Sequence, residues 1–249
     1  MKSIWITGAS SGIGKALALK FANEGWQVAA SARREDLLNK IAESNKNISS
    51  FPLDVTDGEK CKEIFGQIKN KLQSIDICFF STGTWDPKKE KDIDVDQMKK
   101  VMNVNFFGTL NCIKAVEEYF REKNSGHISI VSSIAGYRGL PNSTGYGASK
   151  AALNNLAESL YFDFGRNNVR VSLISPGFIK TQMTDKNQFK MPFLKTAEYA
   201  ANKIYNGLIN GSSFEIDFPK ELTLILKFLK ILPDSLYFKI IKKLTKYQK

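Results

Sequence analysis

The chain has 249 residues, 43% of them apolar and 24% charged, which is ordinary for a globular protein. Its three cysteines lack the paired spacing of a disulfide framework or a zinc site, and its single histidine excludes mechanisms that need two. The net charge is +11, but no recognition-helix or zinc-finger pattern accompanies it, so we expect neither a nucleic-acid partner nor a bound metal. No apolar signal segment follows Met-Lys-Ser, and no apolar run reaches about 18 residues, so we expect a cytoplasmic protein.

The first predicted elements are a strand from Ser3 to Thr7, a glycine-rich turn, and a helix that ends near Gly25. The turn places glycines at Gly8, Gly12 and Gly14. A strand, such a turn and a helix N-terminus together let backbone N–H groups approach a phosphate closely. The pattern therefore indicates a dinucleotide site, although a turn of this kind also occurs for purely structural reasons.

A second strand is predicted from Trp26 to Ala32, and Arg33 and Arg34 follow it directly. In a βαβ unit, the end of this strand faces the adenosine ribose, where an acidic residue selects NAD and an arginine selects NADP. Because the first acid, Glu35, comes after the arginines, the pattern favours NADP over NAD. The alternative is a solvated arginine pair that opens the next helix.

A third strand within Ile48 to Val55 ends beside Asp54, and a helix is predicted over residues 58–72. Asp54 can accept from an adenine amino group or cap that helix. A fourth strand from Ile75 to Ser81, a largely apolar run, leads to Gly83, as expected for a parallel sheet that is buried on both faces.

Residues 84–96 are polar and predict a loop, after which one long helix is expected from about Gln97 to Glu122. Asn105 and Gly108 lie near the middle of this helix, where both have poor helix propensity. Such a local conflict often marks a functional or strained position.

A fifth strand from His127 to Ser132 ends at Ser133, and a small, glycine-rich loop over residues 134–145 follows. The next helix carries Tyr146 and Lys150, which are four residues apart and therefore project from one helix face. We expect the ammonium group to lower the pKa of the phenol, which would make Tyr146 a tuned proton donor. By itself, the same spacing also occurs as surface decoration.

A sixth strand from Val169 to Ile174 is broken by Pro176 and Gly177, and residues 214–218 fit a seventh strand. Strands and helices thus alternate along the chain. This predicts an α/β fold with one doubly wound parallel sheet of about seven strands, helices on both faces, and a single domain over residues 1–249. Ligands bind such sheets outside the carboxyl ends of the strands, where the residues above are located.

Together these motifs resemble the short-chain dehydrogenase/reductase family, in its compact single-domain branch, over about residues 1–218. The resemblance implies a Rossmann-type fold, a nicotinamide cofactor and transfer of hydride between that cofactor and a carbonyl or alcohol substrate. The motifs that carry it are Thr7-Gly8-x-x-x-Gly12-Ile13-Gly14, Asp54-Val55, Asn105-Phe-Phe-Gly108, Ser133, Tyr146-x-x-x-Lys150, Pro176-Gly177 and Thr181.

The resemblance also implies roles for individual residues. Tyr146 would be the general acid or base, Lys150 would tune it and bind the nicotinamide ribose, Ser133 would polarise the substrate oxygen, and Asn105 would hold a water in a proton relay. The implied cofactor contacts are Gly8, Ser10, Ser11, Gly12, Ile13 and Gly14 in the glycine turn that would carry the pyrophosphate, Arg33 with Ser10 or Arg34 at the 2′-phosphate, Asp54 and Val55 at the adenine, and Gly83, Tyr146, Lys150, Pro176, Gly177, Ile179 and Thr181 nearer the nicotinamide.

Two features depart from the family. Many members have Asn-Asn-Ala-Gly after the fourth strand, where this chain has Phe80-Ser81-Thr82-Gly83, so we expect a weaker tie between neighbouring strands. The chain also has a long, apolar and basic extension over residues 219–249, in which residues 220–249 hold eight lysines against two acids. Residues 222–232 and 236–246 predict helices; in the second, one face is apolar and the other carries lysines.

For this extension, two interpretations remain open. Its helices pack on the body, where they close the substrate pocket or contact another subunit, or they dock on the inner, anionic membrane surface.

For the chain as a whole, we expect an NADPH-dependent oxidoreductase, with NADP as the oxidised form of the cofactor. Its substrate would be a carbonyl or alcohol compound of lipophilic character, and the family suggests a homodimer or homotetramer. The alternative is a cofactor-binding sensor or scaffold protein that keeps the fold without turnover.

Overall fold

The structure is a computed structural model that describes residues 1–86, 93–187 and 189–245. Its centre is a seven-stranded parallel sheet in the order β3-β2-β1-β4-β5-β6-β7. The strands are β1 (Ser3–Thr7), β2 (Gln27–Ala32), β3 (Ile48–Pro52), β4 (Ile77–Phe80), β5 (Gly126–Val131), β6 (Val169–Pro176) and β7 (Glu215–Phe218). The predicted α/β fold and parallel sheet are thus confirmed.

Helices cover both faces of the sheet. They are α1 (Gly12–Asn23), α2 (Glu35–Ser44), α3 (Gly58–Leu72), α4 (Val95–Met102), α5 (Gly108–Lys123), α6 (Thr144–Gly165), α7 (Ala197–Ile209), α8 (Lys220–Lys230) and α9 (Asp234–Thr245). Short 3₁₀ turns span Ile134–Gly136 and Thr184–Lys186. Among the described residues, no helix is long and apolar enough to cross a membrane.

The core has two halves because successive side chains of a strand point to opposite faces of the sheet. On β1, Ile4 and Ile6 join the cluster beneath α1 and α7, whereas Trp5 joins the cluster beneath α3, α5 and α6. Phe21 of α1 and Phe120 of α5 are fully buried on the two sides. Both faces are therefore apolar, which explains the near-continuous hydrophobic runs of the strands.

The helix predicted from 97 to 122 is not continuous. Between α4 and α5, residues Asn103–Phe107 form a π-helical turn, and the Gly108 N–H bonds to the Asn103 carbonyl five residues earlier. A Cβ at Gly108 would lie 2.5 Å from Cγ2 of Val55, so glycine permits this close contact with the loop after β3. The conflict at Asn105 and Gly108 thus reflects a real irregularity, as is common at functional sites.

The carboxyl extension forms α8 and α9, near the predicted bounds, and they pack against each other and against Leu140. On the predicted apolar face of α9, Tyr237 and Ile241 are buried, but Leu236 and Leu244 are exposed. The extension therefore packs on the body, as one of the two interpretations expected. Residues 87–92 of the predicted loop and Lys246 lie outside the described residues.

Candidate active site

One cleft crosses the carboxyl edge of the sheet, where β1 and β4 are neighbours and the chain order changes direction. Every residue that the sequence proposed for cofactor binding lines this cleft, and so does Ser133. Other lining residues had not been proposed as cofactor contacts: Ala32, Leu53, Ser81, Thr82, Val104, Val131, Ser132, Gln182, Met183 and Thr184. Several of these directly adjoin a motif or a strand end, a signal that could have identified them.

The glycine turn is shaped by close packing. Gly8 and Gly12 have positive φ angles, +71° and +56°, which favour glycine. A Cβ at Gly14 would lie 2.4 Å from the Gly8 carbonyl oxygen, and one at Gly12 would lie 3.1 Å from Cγ2 of Thr181. The turn therefore brings bare backbone to the cleft at the N-terminus of α1, where a helix attracts an anion.

Two arginines stand beside this turn in different settings. The Arg34 guanidinium donates to the hydroxyls of Ser10 (3.0 Å) and Ser11 (2.7 Å) and to Oε1 of Gln182 (3.1 Å). The Arg33 side chain is 66% exposed and lies 3.8 Å from the Asp54 carboxylate. Arg34 is thus fixed against the glycine turn, whereas Arg33 is partly neutralised by a neighbouring acid.

Asp54 forms a local turn and does not cap the following helix. Its Oδ1 accepts from the backbone N–H and the hydroxyl of Thr56, at 3.0 and 2.8 Å. Asp57 is the N-cap of α3 and accepts from the Lys60 N–H. Of the two roles considered for Asp54, the structure excludes the cap, and Asp54 lines the cleft with Val55.

Ser81 joins β1 to β4, although the sequence Phe80-Ser81-Thr82-Gly83 was expected to weaken the tie between neighbouring strands. Its hydroxyl donates to the Thr7 carbonyl at 2.6 Å, and its N–H donates to the Thr7 hydroxyl at 3.2 Å. β1 and β4 are therefore joined at their carboxyl ends by Ser81.

Asn105 fixes the loop after β4. Its Oδ1 accepts from the Thr84 N–H (2.7 Å), and its Nδ2 donates to the Thr84 carbonyl (3.1 Å) and to the Ser149 hydroxyl (3.0 Å). A Cβ at Gly83 would lie 3.6 Å from Oδ1 of Asn105 and 3.7 Å from Nζ of Lys150. Asn105 is therefore fully buried next to Lys150, behind the wall of the cleft.

Ser133, Tyr146 and Lys150 converge inside the cleft. Ser133 follows β5, while Tyr146 and Lys150 project from the first turns of α6, which begins at Thr144. Ser133 forms a hydrogen bond with the Tyr146 phenol. The Lys150 ammonium donates to the Val131 carbonyl at 2.9 Å and lies 5.7 Å from the centre of the Tyr146 ring.

Burial dominates the ionisation of this group. It raises the pKa of the Tyr146 phenol, against the lowering effect of the Ser133 hydrogen bond, and it lowers the pKa of Lys150 to about 8. The sequence predicted a lowered pKa for Tyr146, and this direction is wrong for the protein without ligand. The reason is that desolvation disfavours both the phenolate and the ammonium that was expected to stabilise it.

Trp85, which no motif had marked, packs beside the Tyr146 ring. The ring centres of Trp85 and Tyr146 are 5.5 Å apart and the rings are inclined by 36°. Among the described residues, neither Nε1 of Trp85 nor Oγ1 of Thr82 has a hydrogen-bond partner, although both atoms are buried. Buried polar atoms of this kind are costly unless a ligand satisfies them.

Comparison with known proteins gives a consistent picture. A family model described as short chain dehydrogenase matches residues 2–192. An uncharacterized oxidoreductase of Myxococcus xanthus is 32% identical over 236 residues, or 93% of each chain. The solved structure of ElxO with NADP bound is 29% identical, with a TM-score of 0.76 over 87% of this chain and 97% of its own. A short chain dehydrogenase/reductase of Burkholderia phymatum, solved with NAD, is 20% identical, with a TM-score of 0.79 over 91% of this chain and 92% of its own; it supports the fold alone.

Proposed function

The chain is an oxidoreductase of the short-chain dehydrogenase/reductase family, and on this basis we propose that it is an NADPH-dependent carbonyl reductase or alcohol dehydrogenase. The observation that carries the proposal is the convergence of Ser133, Tyr146 and Lys150 in the cleft that also holds the glycine turn and Arg34. The first group supports proton transfer at a substrate oxygen, and the second supports binding of a phosphorylated dinucleotide.

The cleft residues fit NADP. A side chain at Gly12 would fill the space towards Thr181, the bare turn leaves room for a pyrophosphate, and the buried Thr82 hydroxyl lacks a partner among the described residues. Arg34 would bind the 2′-phosphate because its guanidinium is already oriented by Ser10 and Ser11. We assign Arg33 a lesser part, since it faces Asp54. NADP bound in the similar ElxO supports this preference over NAD.

When bound, the nicotinamide supplies or accepts the hydride. In the direction of reduction, the Ser133 hydroxyl would hold the substrate oxygen and Tyr146 would donate its phenolic proton to that oxygen. Because burial raises its pKa, Tyr146 stays protonated at neutral pH, as a proton donor must. Lys150 would bind the nicotinamide ribose and return a proton towards the phenolate. Asn105 would position the neighbouring loop and a relay water.

Apolar side chains in and around the cleft support a lipophilic substrate. Trp85 packs against Tyr146, and Met183 lines the cleft near Thr181. We therefore propose a carbonyl or alcohol compound with an apolar body, whose polar reacting group lies at Ser133.

A homodimer or homotetramer is also proposed. It would pair α5 and α6 between subunits, since Phe107 at the start of α5 and Tyr161 and Phe162 on α6 are exposed. Light scattering combined with size-exclusion chromatography would establish the number of subunits.

The test is a screen of apolar aldehydes, ketones and quinones with NADPH and NADH side by side, followed by absorbance of the reduced nicotinamide. We expect NADPH to be oxidised and preferred. Tyr146→Phe should bind NADPH nearly as tightly by fluorescence titration but lose turnover by at least about 100-fold. Cofactor binding with no turnover on any substrate would favour a sensor protein, and full activity of Tyr146→Phe would refute the assigned role.

A further inference from the structure

Helix α8 is apolar on two opposite sides. One side, with Leu222, Leu226 and Leu229, faces the protein: Leu222 and Leu229 are buried and Leu226 packs in the cluster with α9. The other side carries Leu224 and Phe228, followed by Ile231 one turn later, and these residues are exposed. At 100° per residue the last three fall within about 60° of one another, so they form a single outward stripe.

The large apolar side chains of this stripe are mostly exposed to solvent. Phe228 is 60% and Ile231 77% exposed, and the adjacent helix α9 adds exposed Phe238 and Leu244. Isolated apolar side chains on a surface are normal, but a grouped set on one short helical pair marks an interaction site. Folding alone does not account for it, because the inner side of α8 already anchors the helix.

Unpaired lysines accompany the stripe. Lys220 and Lys227 are bound to Asp217, and Lys227 also to Glu215. By contrast, Lys230 on α8 and Lys239, Lys242 and Lys243 on α9 are exposed and form no ion pair among the described residues. Their charge is attractive to a surface that is itself anionic.

The helical pair is also joined to the proposed substrate side of the cleft. A Cβ at Gly177, which lines the cleft, would lie 3.0 Å from Cδ2 of Leu222. Arg138, five residues after Ser133, donates to the carbonyls of Leu229, Lys230 and Leu232 at the end of α8. A partner on the outer side of α8 would therefore contact a helix that borders the cleft at Gly177.

We propose that α8 and α9 dock this protein on the headgroup region of an anionic lipid bilayer. The outward stripe of Leu224, Phe228 and Ile231 enters the interface, and Lys230, Lys239, Lys242 and Lys243 contact anionic headgroups. Apolar burial and charge attraction then act together, which is the usual requirement for reversible interfacial binding. The alternative occupant, a second copy of the chain, is less well matched because each copy carries these lysines and a net charge of +11, so two copies repel each other.

Vesicle flotation with the full chain tests the proposal without any need for catalytic activity. Vesicles of phosphatidylcholine alone are compared with vesicles that contain about one-third phosphatidylglycerol. We expect binding to the anionic vesicles that falls at high salt, and at least about tenfold weaker binding to the neutral ones. The double variant Phe228→Ser/Ile231→Ser and the triple variant Lys239→Glu/Lys242→Glu/Lys243→Glu should each lose at least about tenfold in partitioning.

Matched controls use equally exposed residues elsewhere. Ile93 is 81% exposed outside the extension, so Ile93→Ser should leave vesicle binding unchanged. Exposed Lys40, Lys46 and Lys69 provide the corresponding triple charge reversal. The proposal is overturned if wild-type protein binds no vesicles, if it binds both kinds equally, or if the control charge reversal weakens binding as much as that on α9. It is likewise overturned if the wild type does not bind vesicles and light scattering shows that Phe228→Ser/Ile231→Ser dissociates an oligomer.

Discussion

Replacement of Arg138 by alanine should detach the carboxyl helices from the loop that follows Ser133. The side chain is only 20% exposed and has three kinds of partner. It donates to three carbonyls at the end of α8, the shortest bond being 2.8 Å to Leu232, and its guanidinium lies 3.9 Å from the centre of the Tyr237 ring. It also pairs with the Asp234 carboxylate at the start of α9.

The cost can be estimated from these contacts. The three hydrogen bonds from the charged guanidinium to the carbonyls together contribute only about 2 kcal/mol, because two of them are long. The contact with the buried face of Tyr237 adds about 1 kcal/mol. The pair with Asp234 adds little, because that carboxylate is 83% exposed. Arg138→Ala should therefore destabilise the attachment of α8 and α9 by about 3 kcal/mol.

Native-state hydrogen exchange is the appropriate assay because the loss is local. Amides of α9 should exchange roughly 100-fold faster in Arg138→Ala, while those of β1 and β5 change much less. Asp234→Ala serves as the matched control and should alter exchange less than about threefold. Equal protection of α9 in Arg138→Ala and wild type, or an equal effect of both variants, would refute this account of what holds the extension.

Three further predictions concern the fold and the cofactor site. His127 is buried beside Ser172, and burial, with the nearby Arg170 charge, lowers its pKa to about 3. The unfolded chain therefore binds a proton near pH 6.5 that the folded chain does not bind. The free energy of unfolding consequently decreases as the pH is lowered below 6.5. Between pH 7 and pH 5, the free energy of unfolding measured in urea should fall by about 2 kcal/mol more in the wild type than in His127→Gln. An imidazole that titrates near pH 6.5 in the folded protein by NMR would contradict this. In fluorescence titrations, Arg34→Ala should weaken NADPH binding about tenfold or more without affecting NADH binding. The control Lys40→Ala, at an exposed residue, should change the affinity for neither cofactor. Equal losses for both cofactors in Arg34→Ala would refute the role of Arg34 at the 2′-phosphate. In thermal unfolding, Gly14→Ala should lower the free energy of unfolding by about 2 kcal/mol because its Cβ would meet the Gly8 carbonyl. The control Gly66→Ala in α3, where a Cβ meets nothing within 4 Å, should be neutral or stabilising. The reverse order of stability would show that the glycine turn can relax.

The parts of the fold that sequence could predict depend on local patterns. Strands β1, β4 and β5 are short, largely apolar runs that are followed by glycine or serine. The spacing of Tyr146 and Lys150 on a helix brings these two residues together without tertiary information. Helix α7 was not singled out, although Ala200, Ile204 and Leu208 repeat at helical spacing and are all buried. That signal was present in the sequence.

Other features depend on contacts between distant residues. Arg138 reads as an ordinary loop arginine, because its carbonyl partners lie 91 to 94 residues further along the chain. The hydrogen bond from the Ser81 hydroxyl to the Thr7 carbonyl joins residues 74 positions apart, so the sequence around Ser81 predicted a weaker tie between the strands. The pKa of Tyr146 depends on how completely the fold removes water, which the spacing of two residues does not report.

The widened turn at Asn103–Phe107 contains one residue more than a regular helix would use over the same length. Deletion of a single residue there would let the backbone return to ordinary spacing, but it would rotate Asn105 relative to everything that follows by about 100°. Its amide would then leave Thr84 and Ser149, and the loop after β4 would lose its anchor beside Lys150. The extra residue thus lets Asn105 contact Thr84 and Ser149 while Cys112, Val116 and Phe120 of α5 still face the core.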